Sequence, residues 1–261
     1  MVNSAGNEGG GGWHTVGAPG DADSALTVGG ISPWRGVRSS FSSYGPTADK
    51  RLKPNVSAFG TAAVANTAGL STASGTSFAC PLVAGFAACI LQGHPEYTNM
   101  QLFAELQKAG ALHPYFDYAH GYGVPQASYF LHPEESPDTT LDLVVSTFAI
   151  NVLVREEYVP NEEESADAPR IKDQVGDDEE PTDFAEEALA DSMATDSKLA
   201  REPKFNRYLY YHLQNPSGVL DRYAVLKVEQ ADIKQFRRLD YAPGTVLRVY
   251  YRGFVTEYVF E

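Results

Sequence analysis

The residues around Ser77 carry the clearest chemical signal in this sequence. Ser77 follows Gly75 and Thr76, and residues 78–85 after it are almost all apolar or small. A serine at a helix N-terminus has free backbone N–H groups around it and the positive end of the helix dipole beneath it. Both stabilise an oxyanion formed next to the serine Oγ. The pattern therefore indicates a nucleophile, although an ordinary helix N-cap has the same pattern.

A second segment, at the start of the sequence, is suited to supply an oxyanion donor. Residues 3–9 read Asn-Ser-Ala-Gly-Asn-Glu-Gly, which is a short strand remnant followed by Asn7 and a glycine-rich loop. An asparagine amide at a strand end is a fixed donor that can point at an oxyanion. Asn-x-Gly is also common turn chemistry, so this segment alone indicates little.

Taken together, the two segments resemble the oxyanion-asparagine and catalytic-serine segments of the subtilisin-like serine proteases (subtilases, peptidase family S8). Three stretches between them agree with that family in order and approximate spacing: Thr-Val-Gly-Ala-Pro-Gly at 15–20, Ser-Phe-Ser-Ser-Tyr-Gly-Pro at 40–46, and Lys-Pro-Asn-Val-Ser-Ala-Phe-Gly at 53–60. Asn55 and Phe59 stand where the family usually has Asp and Pro, so the local turn geometry is left open. The resemblance covers roughly residues 1–131.

The resemblance implies a function for these residues. Ser77 would attack the scissile carbonyl of a peptide or protein, while the Ser77 N–H and the Asn7 amide hold the oxyanion. Four further residues would form walls of the pocket for the side chain that precedes the cut: Ser4, Ala5, Gly6 and Gly17. The family implies a secreted or cell-envelope location. Calcium sites are common in subtilases, but no calcium-binding motif is visible here, so we expect no cofactor.

A subtilase triad also needs an aspartate and a histidine, which the family carries upstream of the oxyanion asparagine in Asp-[Ser/Thr]-Gly and His-Gly-Thr-His segments. Neither motif occurs in this sequence. We therefore expect the chain to be the C-terminal part of a longer protease, partnered by the missing N-terminal part and inactive alone. We interpret the histidines that are present as surface or loop residues and not as the base: His14, His94, His113, His120, His132 and His212.

Two other functions fit parts of the pattern. Residues 75–79 are one residue away from the Gly-x-Ser-x-Gly of an esterase-type α/β-hydrolase, but that fold needs a strand running into the turn, and residues 65–73 are small and polar. The other alternative is a non-catalytic binding or assembly protein on a subtilase scaffold. The presence of both Ser77 and Asn7 argues against such a decayed site.

The pattern of apolar residues predicts two domains. Residues 1–136 would be an α/β domain, the C-terminal portion of a subtilisin-like parallel sheet, with a strand at 25–31 and a helix at 77–92 that is apolar on all sides and hence buried. Thr98 and Gln101 have capping-box spacing for a second helix, and residues 127–131 suit a last short one. Residues 137–261 would be a small antiparallel all-β, sandwich-like domain, with strands at 141–154, 207–213, 223–229, 245–251 and 254–260.

The negative charge of the sequence is concentrated in one segment. The net charge is -14, and residues 156–191 hold 15 acidic and 2 basic residues. We interpret residues 156–203 as a solvated, disordered insert in the β domain.

No basic stripe exists to bind nucleic acid, and no run of 18 apolar residues predicts a membrane span. Cys80 and Cys89 lie nine apart on the predicted helix, too far for a disulfide, and suit small core residues.

Overall fold

The computed structural model describes residues 1–67, 69–131, 137–160 and 207–261. The described residues form two compact units: residues 1–131 make the first, and residues 137–160 with 207–261 make the second. Most of the predicted acidic insert, residues 161–203, lies outside the described residues.

The first unit is built on a three-stranded parallel sheet. It consists of β1 (Val2–Ser4), β2 (Leu26–Ile31) and β3 (Val56–Phe59), in the order β1-β2-β3. All six residues of β2 are buried, as expected of the middle strand in a parallel sheet that is covered on both faces. The predicted parallel sheet is therefore present, with β2 one residue shorter than the sequence indicated.

An antiparallel hairpin leads from the sheet into the longest helix. The hairpin pairs β4 (Thr61–Asn66) with β5 (Gly69–Ser74), and α1 (Thr76–Gly93) follows directly. Two shorter helices complete the unit, α2 (Asn99–Lys108) and α3 (Ser128–Leu131). The capping box at the start of α2 is confirmed, because Thr98 and Gln101 each bond the other's backbone N–H.

Helix α1 packs over β1, β2 and β3 through one narrow face. Ala79, Val83 and Ala87 are buried against the apolar side chains of β2 and β3, a spacing typical of a helix with a single buried stripe. The prediction of a helix is confirmed, but the prediction that it is buried on all sides is wrong. Leu82, on the flank of the helix beside Val83, is 53% exposed.

Helix α1 differs from expectation at one of its two cysteines and carries a proline in its interior. Cys80 and Cys89 are free, but Cys89 is exposed instead of packed in the core. Pro81 lies inside the helix, and its missing N–H leaves the Ser77 carbonyl without its usual helical donor. By length and composition α1 would suffice to cross a membrane, as core helices of globular proteins also would. The expected absence of a membrane span therefore stays a prediction.

The second unit is entirely antiparallel. One sheet has the order β10-β7-β6, with β6 (Leu141–Val145), β7 (Ala149–Val154) and β10 (Asp232–Arg237). The other has the order β12-β11-β8-β9, with β8 (Tyr208–Gln214), β9 (Leu220–Lys227), β11 (Val246–Tyr251) and β12 (Phe254–Val259). Both sheets contribute to one apolar core, including Ile150, Leu209 and Leu247, so the unit is sandwich-like.

One strand of the second unit was not predicted from the sequence. Strand β10 was missed, because Asp232–Arg237 holds only two apolar residues and forms a sheet edge. The tyrosines of β8 and β11, including Tyr210 and Tyr250, are buried and pack edge-to-face. They are packing residues of the sheet and not an open platform for a ligand.

Candidate active site

Ser77 is the second residue of α1, and its side chain is exposed. Gly75 is the N-cap residue, so the interpretation of Ser77 as an ordinary N-cap is wrong. The Gly75 N–H donates to the Gly60 carbonyl at 2.8 Å, which joins the start of the helix to the end of the parallel sheet. The fold thus presents a serine hydroxyl to solvent at the positive end of an 18-residue helix.

The backbone around Ser77 leaves a donor free for an anion. The Phe78 N–H donates to the Gly75 carbonyl, and the Thr76 N–H donates to Asn7. Among the described residues, the Ser77 N–H has no backbone acceptor, as expected within the first four N–H groups of a helix. A carbonyl oxygen that gains negative charge beside the Ser77 Oγ would find this N–H available.

Asn7 lies against the same helix N-terminus, although it is 70 residues away in the sequence. Its Oδ1 accepts hydrogen bonds from the Thr76 N–H at 2.9 Å and from the Thr76 hydroxyl at 3.0 Å. With the amide oxygen held in this way, the Nδ2 group lies over Gly75, 3.3 Å from where a Cβ on that glycine would be. The structure therefore brings together the two residues that the sequence singled out separately.

The segment around Ser43 holds the Asn7 loop in place. Gly6 has a φ of +102°, and a Cβ there would lie 3.0 Å from the Ser43 Oγ, so this position requires glycine. Ser43 donates its N–H to the Gly6 carbonyl at 3.0 Å and accepts the Glu8 N–H on its Oγ at 3.0 Å. The Ser-Phe-Ser-Ser-Tyr-Gly-Pro motif thus fixes the loop that carries Asn7.

A buried Asp–His pair, which was not predicted from the sequence, bonds Arg38, and Arg38 bonds the backbone of this segment. The His120 Nδ1 lies 3.0 Å from the carboxylate of fully buried Asp117, and the His120 Nε2 accepts the Arg38 N–H at 2.9 Å. Burial alone would raise the pKa of Asp117, but hydrogen bonds from the His120 ring and from the backbone N–H groups of His120 and Ala119 lower that pKa below its ordinary value. The Arg38 guanidinium in turn donates to the carbonyls of Ser40 and Ser42. The Asp-x-x-His spacing was the available signal.

The predicted pocket residues lie close to one another at the end of β1. Ser4 is the last residue of β1, Ala5 is buried, and Gly6 opens the Asn7 loop. Gly17 is exposed in a turn in which its carbonyl accepts the Asp21 N–H. That turn returns to β1, because a Cβ on Gly20 would lie 3.1 Å from the Ser4 carbonyl. Their role as walls of a substrate pocket stays a prediction.

Among the described residues, no histidine bonds the Ser77 side chain, and no cluster suited to a metal ion is present. His14 contacts the Gly9 carbonyl, His94 contacts Glu96, and His113 packs beside Tyr122. His120 lies in a turn, as expected, but is buried there. His212 is buried on β8, so the expectation of a surface or loop position is wrong for this residue. His132 lies outside the described residues.

The strand that precedes Gly75 does not fit the esterase alternative. The sequence predicted no strand before Gly75, and that was wrong, because β5 runs to Ser74. However, within the described part of the chain β5 pairs only with β4, in an antiparallel hairpin, and does not join the parallel sheet. An α/β-hydrolase nucleophile follows a strand of the central sheet, so this geometry does not fit that fold.

Comparison with known proteins identifies the first unit. Residues 1–123 match the Subtilase family model (Peptidase_S8). This segment belongs to the subtilase family. It is 40% identical over 108 residues to Subtilisin NAT from Bacillus subtilis subsp. natto, which is 41% of this chain and 27% of that protein. The same identity and length relate it to a subtilisin from Bacillus pumilus, of which 38% is covered.

Two solved proteases also match, each over 48% of this chain and 47% of the other. They are Sphericase, with 28% identity and a TM-score of 0.39, and the S41 Psychrophilic Protease, with 29% identity and a TM-score of 0.40. The chain thus spans less than two fifths of the length of the curated relatives named above.

Proposed function

We propose that this chain carries the nucleophile and the oxyanion hole of a subtilisin-type serine endopeptidase. The observation that supports this most directly is the position of the Asn7 amide, fixed by Thr76 at the helix N-terminus that presents Ser77. The general base and its orienting carboxylate would be carried by polypeptide outside these 261 residues, since no described histidine bonds Ser77.

In this mechanism the Ser77 Oγ attacks the carbonyl carbon of the scissile peptide bond and loses its proton to the base. Negative charge then develops on the carbonyl oxygen, where the Ser77 N–H and the Asn7 Nδ2 donate to it. The base returns the proton to the leaving amine, and an acyl-enzyme remains on Ser77. Water, activated by the same base, hydrolyses the ester and restores the serine.

The substrate class and location follow from the same proposal. Ser4, Ala5 and Gly6, with Gly17 on the neighbouring turn, would line the pocket for the side chain that precedes the cut. The substrate would be a peptide or protein, held along the end of β1. A secreted or cell-envelope location is proposed from the family resemblance.

A chimera tests this function. The part of Subtilisin NAT that precedes the matched segment is fused before residue 1 of this chain, and hydrolysis of a peptide p-nitroanilide is measured. We expect hydrolysis by the chimera, loss of hydrolysis in its Ser77→Ala variant, and labelling of Ser77 by a fluorophosphonate. A chimera that unfolds cooperatively but neither hydrolyses the peptide nor takes the label would contradict the proposal.

A further inference from the structure

The His120 ring lies between two partners, one at each ring nitrogen. Its Nδ1 is 3.0 Å from both carboxylate oxygens of Asp117, and its Nε2 is 2.9 Å from the Arg38 backbone nitrogen. A backbone N–H can only donate, so the Nε2 accepts and the ring proton lies on the Nδ1, toward the carboxylate. Because His120 is only 3% exposed, the ring is a fixed acceptor for the Arg38 N–H.

The same contacts show that His120 is not placed to act as the base for Ser77. A triad histidine holds a carboxylate with one ring nitrogen and must offer the other to the serine. In His120 the second nitrogen already accepts the Arg38 N–H, in a buried position. Any effect of this ring on the active site therefore has to pass through Arg38.

The turn that carries His120 is anchored to the parallel sheet. The Ser57 hydroxyl, on β3, donates to the His120 carbonyl at 2.9 Å. Asp117 also accepts the backbone N–H groups of Ala119 and His120, which fixes the turn around its own carboxylate. The position of the His120 Nε2 is thus set by the central sheet and by a buried carboxylate.

The Arg38 guanidinium extends this arrangement to the Asn7 loop, residues 6–12. Its Nη1 donates to the carbonyls of Ser40 at 3.0 Å and of Ser42 at 2.8 Å. Gly9 lies against the same nitrogen, because a Cβ on Gly9 would be 2.7 Å from it. Since Gly9 is two residues after Asn7, Arg38 packs directly against the loop that carries the proposed oxyanion donor.

We propose that His120 is a positioning residue for this donor: by accepting the Arg38 N–H, it fixes the segment that holds Asn7. This inference rests on the proposed function, because that function gives Asn7 its role. Without the acceptor, the Arg38 N–H is left buried and unpaired, and its backbone has to shift to find another partner. A loop held less precisely lowers turnover and not substrate binding, since the amide acts only once charge develops.

Two substitutions separate the two ring nitrogens. His120→Gln places an amide oxygen near the position of the Nε2, where it can accept the Arg38 N–H, but gives up the bond to Asp117. His120→Asn ends near the position of the Nδ1, where it can donate to Asp117, but leaves the Arg38 N–H unpaired. Each variant loses one buried hydrogen bond, so both should unfold at a lower temperature. Only His120→Asn should loosen the Asn7 loop.

Hydrogen exchange of the full 261-residue chain measures the loop without any need for activity. The backbone N–H groups of Glu8, Gly9 and Ser43 all donate hydrogen bonds that hold the loop to the segment around Ser43. We expect these three amides to exchange about tenfold faster in His120→Asn than in the parent chain, and at nearly the parent rate in His120→Gln.

A core variant controls for loss of stability. Leu102 is buried on α2, in a core cluster that includes no residue of the Asn7 loop. Leu102→Ala should lower the unfolding temperature at least as much as His120→Asn does. It should leave the exchange of the three loop amides, and the kcat of the chimera, unchanged at a temperature at which the protein is folded.

The chimera supplies the kinetic measurement. His120→Asn should lower kcat about tenfold with KM within about twofold of the parent value, and His120→Gln should keep most of the rate. In the Asn7→Ala background, His120→Asn should lower kcat no further, because the residue through which His120 acts is gone.

The outcomes separate this inference from the proposed function. Faster exchange of the loop amides in His120→Asn, but not in His120→Gln, supports the positioning of Asn7 even if the chimera hydrolyses nothing. Equal exchange in the two variants would overturn the inference, and an active chimera would leave the function standing. A tenfold loss of kcat that persists in the Asn7→Ala background would also overturn it, because His120 would then act independently of Asn7.

Discussion

The Asn7 side-chain oxygen accepts two hydrogen bonds from Thr76, one from its N–H at 2.9 Å and one from its hydroxyl at 3.0 Å. These bonds join the end of β1 to the start of α1 and fix which end of the amide faces outward. The amide nitrogen lies over Gly75, two residues before Ser77, and both Asn7 and Ser77 are exposed. Thr76 is therefore a positioning residue for the proposed oxyanion hole.

The first prediction concerns that positioning. In the chimera, Thr76→Val removes the hydroxyl donor but keeps the side-chain shape, and we expect kcat to fall about 3–10-fold, as for the loss of one ordinary hydrogen bond. KM should hardly change, because the amide acts only once charge develops on the carbonyl oxygen. Thr76→Ser keeps the hydroxyl and should restore most of the rate. Equal losses for Val and Ser would contradict this role.

The second prediction concerns the donor itself. Asn7→Ala in the chimera should lower kcat by about 10²–10³ with little change in KM, a magnitude taken from the removal of one oxyanion donor in a subtilisin. The substitution also removes the acceptor of two hydrogen bonds from buried Thr76, so the thermal unfolding temperature should fall, and the kinetics are compared at a temperature at which both proteins are folded. Steady-state kinetics check the prediction, and a kcat within a few-fold of the parent would show that Asn7 is not the donor.

The third prediction concerns the pH dependence of stability. Lys53 is buried, and its Nζ donates to the Ala25 carbonyl, the Thr27 hydroxyl and the Asn55 Oδ1. Burial, with a smaller contribution from the charge of Arg51, lowers the pKa of Lys53 from 10.5 to about 8. Between these two values the unfolded chain binds more protons than the folded one, so this lysine makes stability rise with pH.

Urea unfolding between pH 7.5 and 10.5 measures that contribution. The parent should gain stability across this range relative to Lys53→Met, which removes the titrating group and keeps an apolar stem of similar length. The full penalty is present below about pH 8 and disappears above pH 10.5. Parallel stability profiles for the two proteins would show that burial does not lower the pKa of Lys53.

The fourth prediction concerns Asn55→Asp, a substitution that introduces the aspartate that the family usually has at this position. The Asn55 Oδ1 lies 2.9 Å from the Lys53 Nζ and 2.8 Å from the Thr27 N–H, so a carboxylate oxygen there would bond a cation and an amide together. We expect Asn55→Asp to stabilise the chain at pH 7 by about 1–2 kcal/mol, and to remove the rise in stability above pH 8, because the carboxylate raises the pKa of Lys53.

The same urea experiment provides the control for this variant. Lys53→Met/Asn55→Asp leaves the new carboxylate buried without its cation and should be less stable than Lys53→Met alone. If Asn55→Asp stabilises the chain equally in both backgrounds, its effect does not come from Lys53.

The sequence predicted most of the elements of the first unit because its motifs have fixed local geometry. Gly-Thr-Ser starts a helix, Thr98 caps another, and a run of buried apolar residues makes β2. The sequence also indicated Asn7 and Ser77 as site residues. Their closeness in the fold depends on the parallel pairing of β1 with β2. The subtilase resemblance, and not local periodicity, supplied that long-range relationship.

The wrong and missing predictions have separate physical causes. For α1 the cause is that periodicity shows how apolar a surface is but not what covers it. Helix α1 is apolar all round, and the sequence therefore predicted burial on all sides, yet Leu82, Gly85 and Cys89 are exposed. The Asp117–His120 pair was missed because it depends on the distant Arg38 backbone for its third member. Edge strand β10 was not predicted because it buries only one side chain, that of Phe236.

The most direct test of the proposed division of the active site is fluorophosphonate labelling of Ser77 in two proteins, measured by intact mass. The 261-residue chain alone should not react, because without a base Ser77 is a neutral alcohol and a poor nucleophile; in a subtilisin, loss of the histidine alone costs about 10⁶ in turnover. The chimera should react once per chain, and not after Ser77→Ala. Rapid labelling of Ser77 in the chain alone, or none in a folded chimera, would contradict the proposed mechanism.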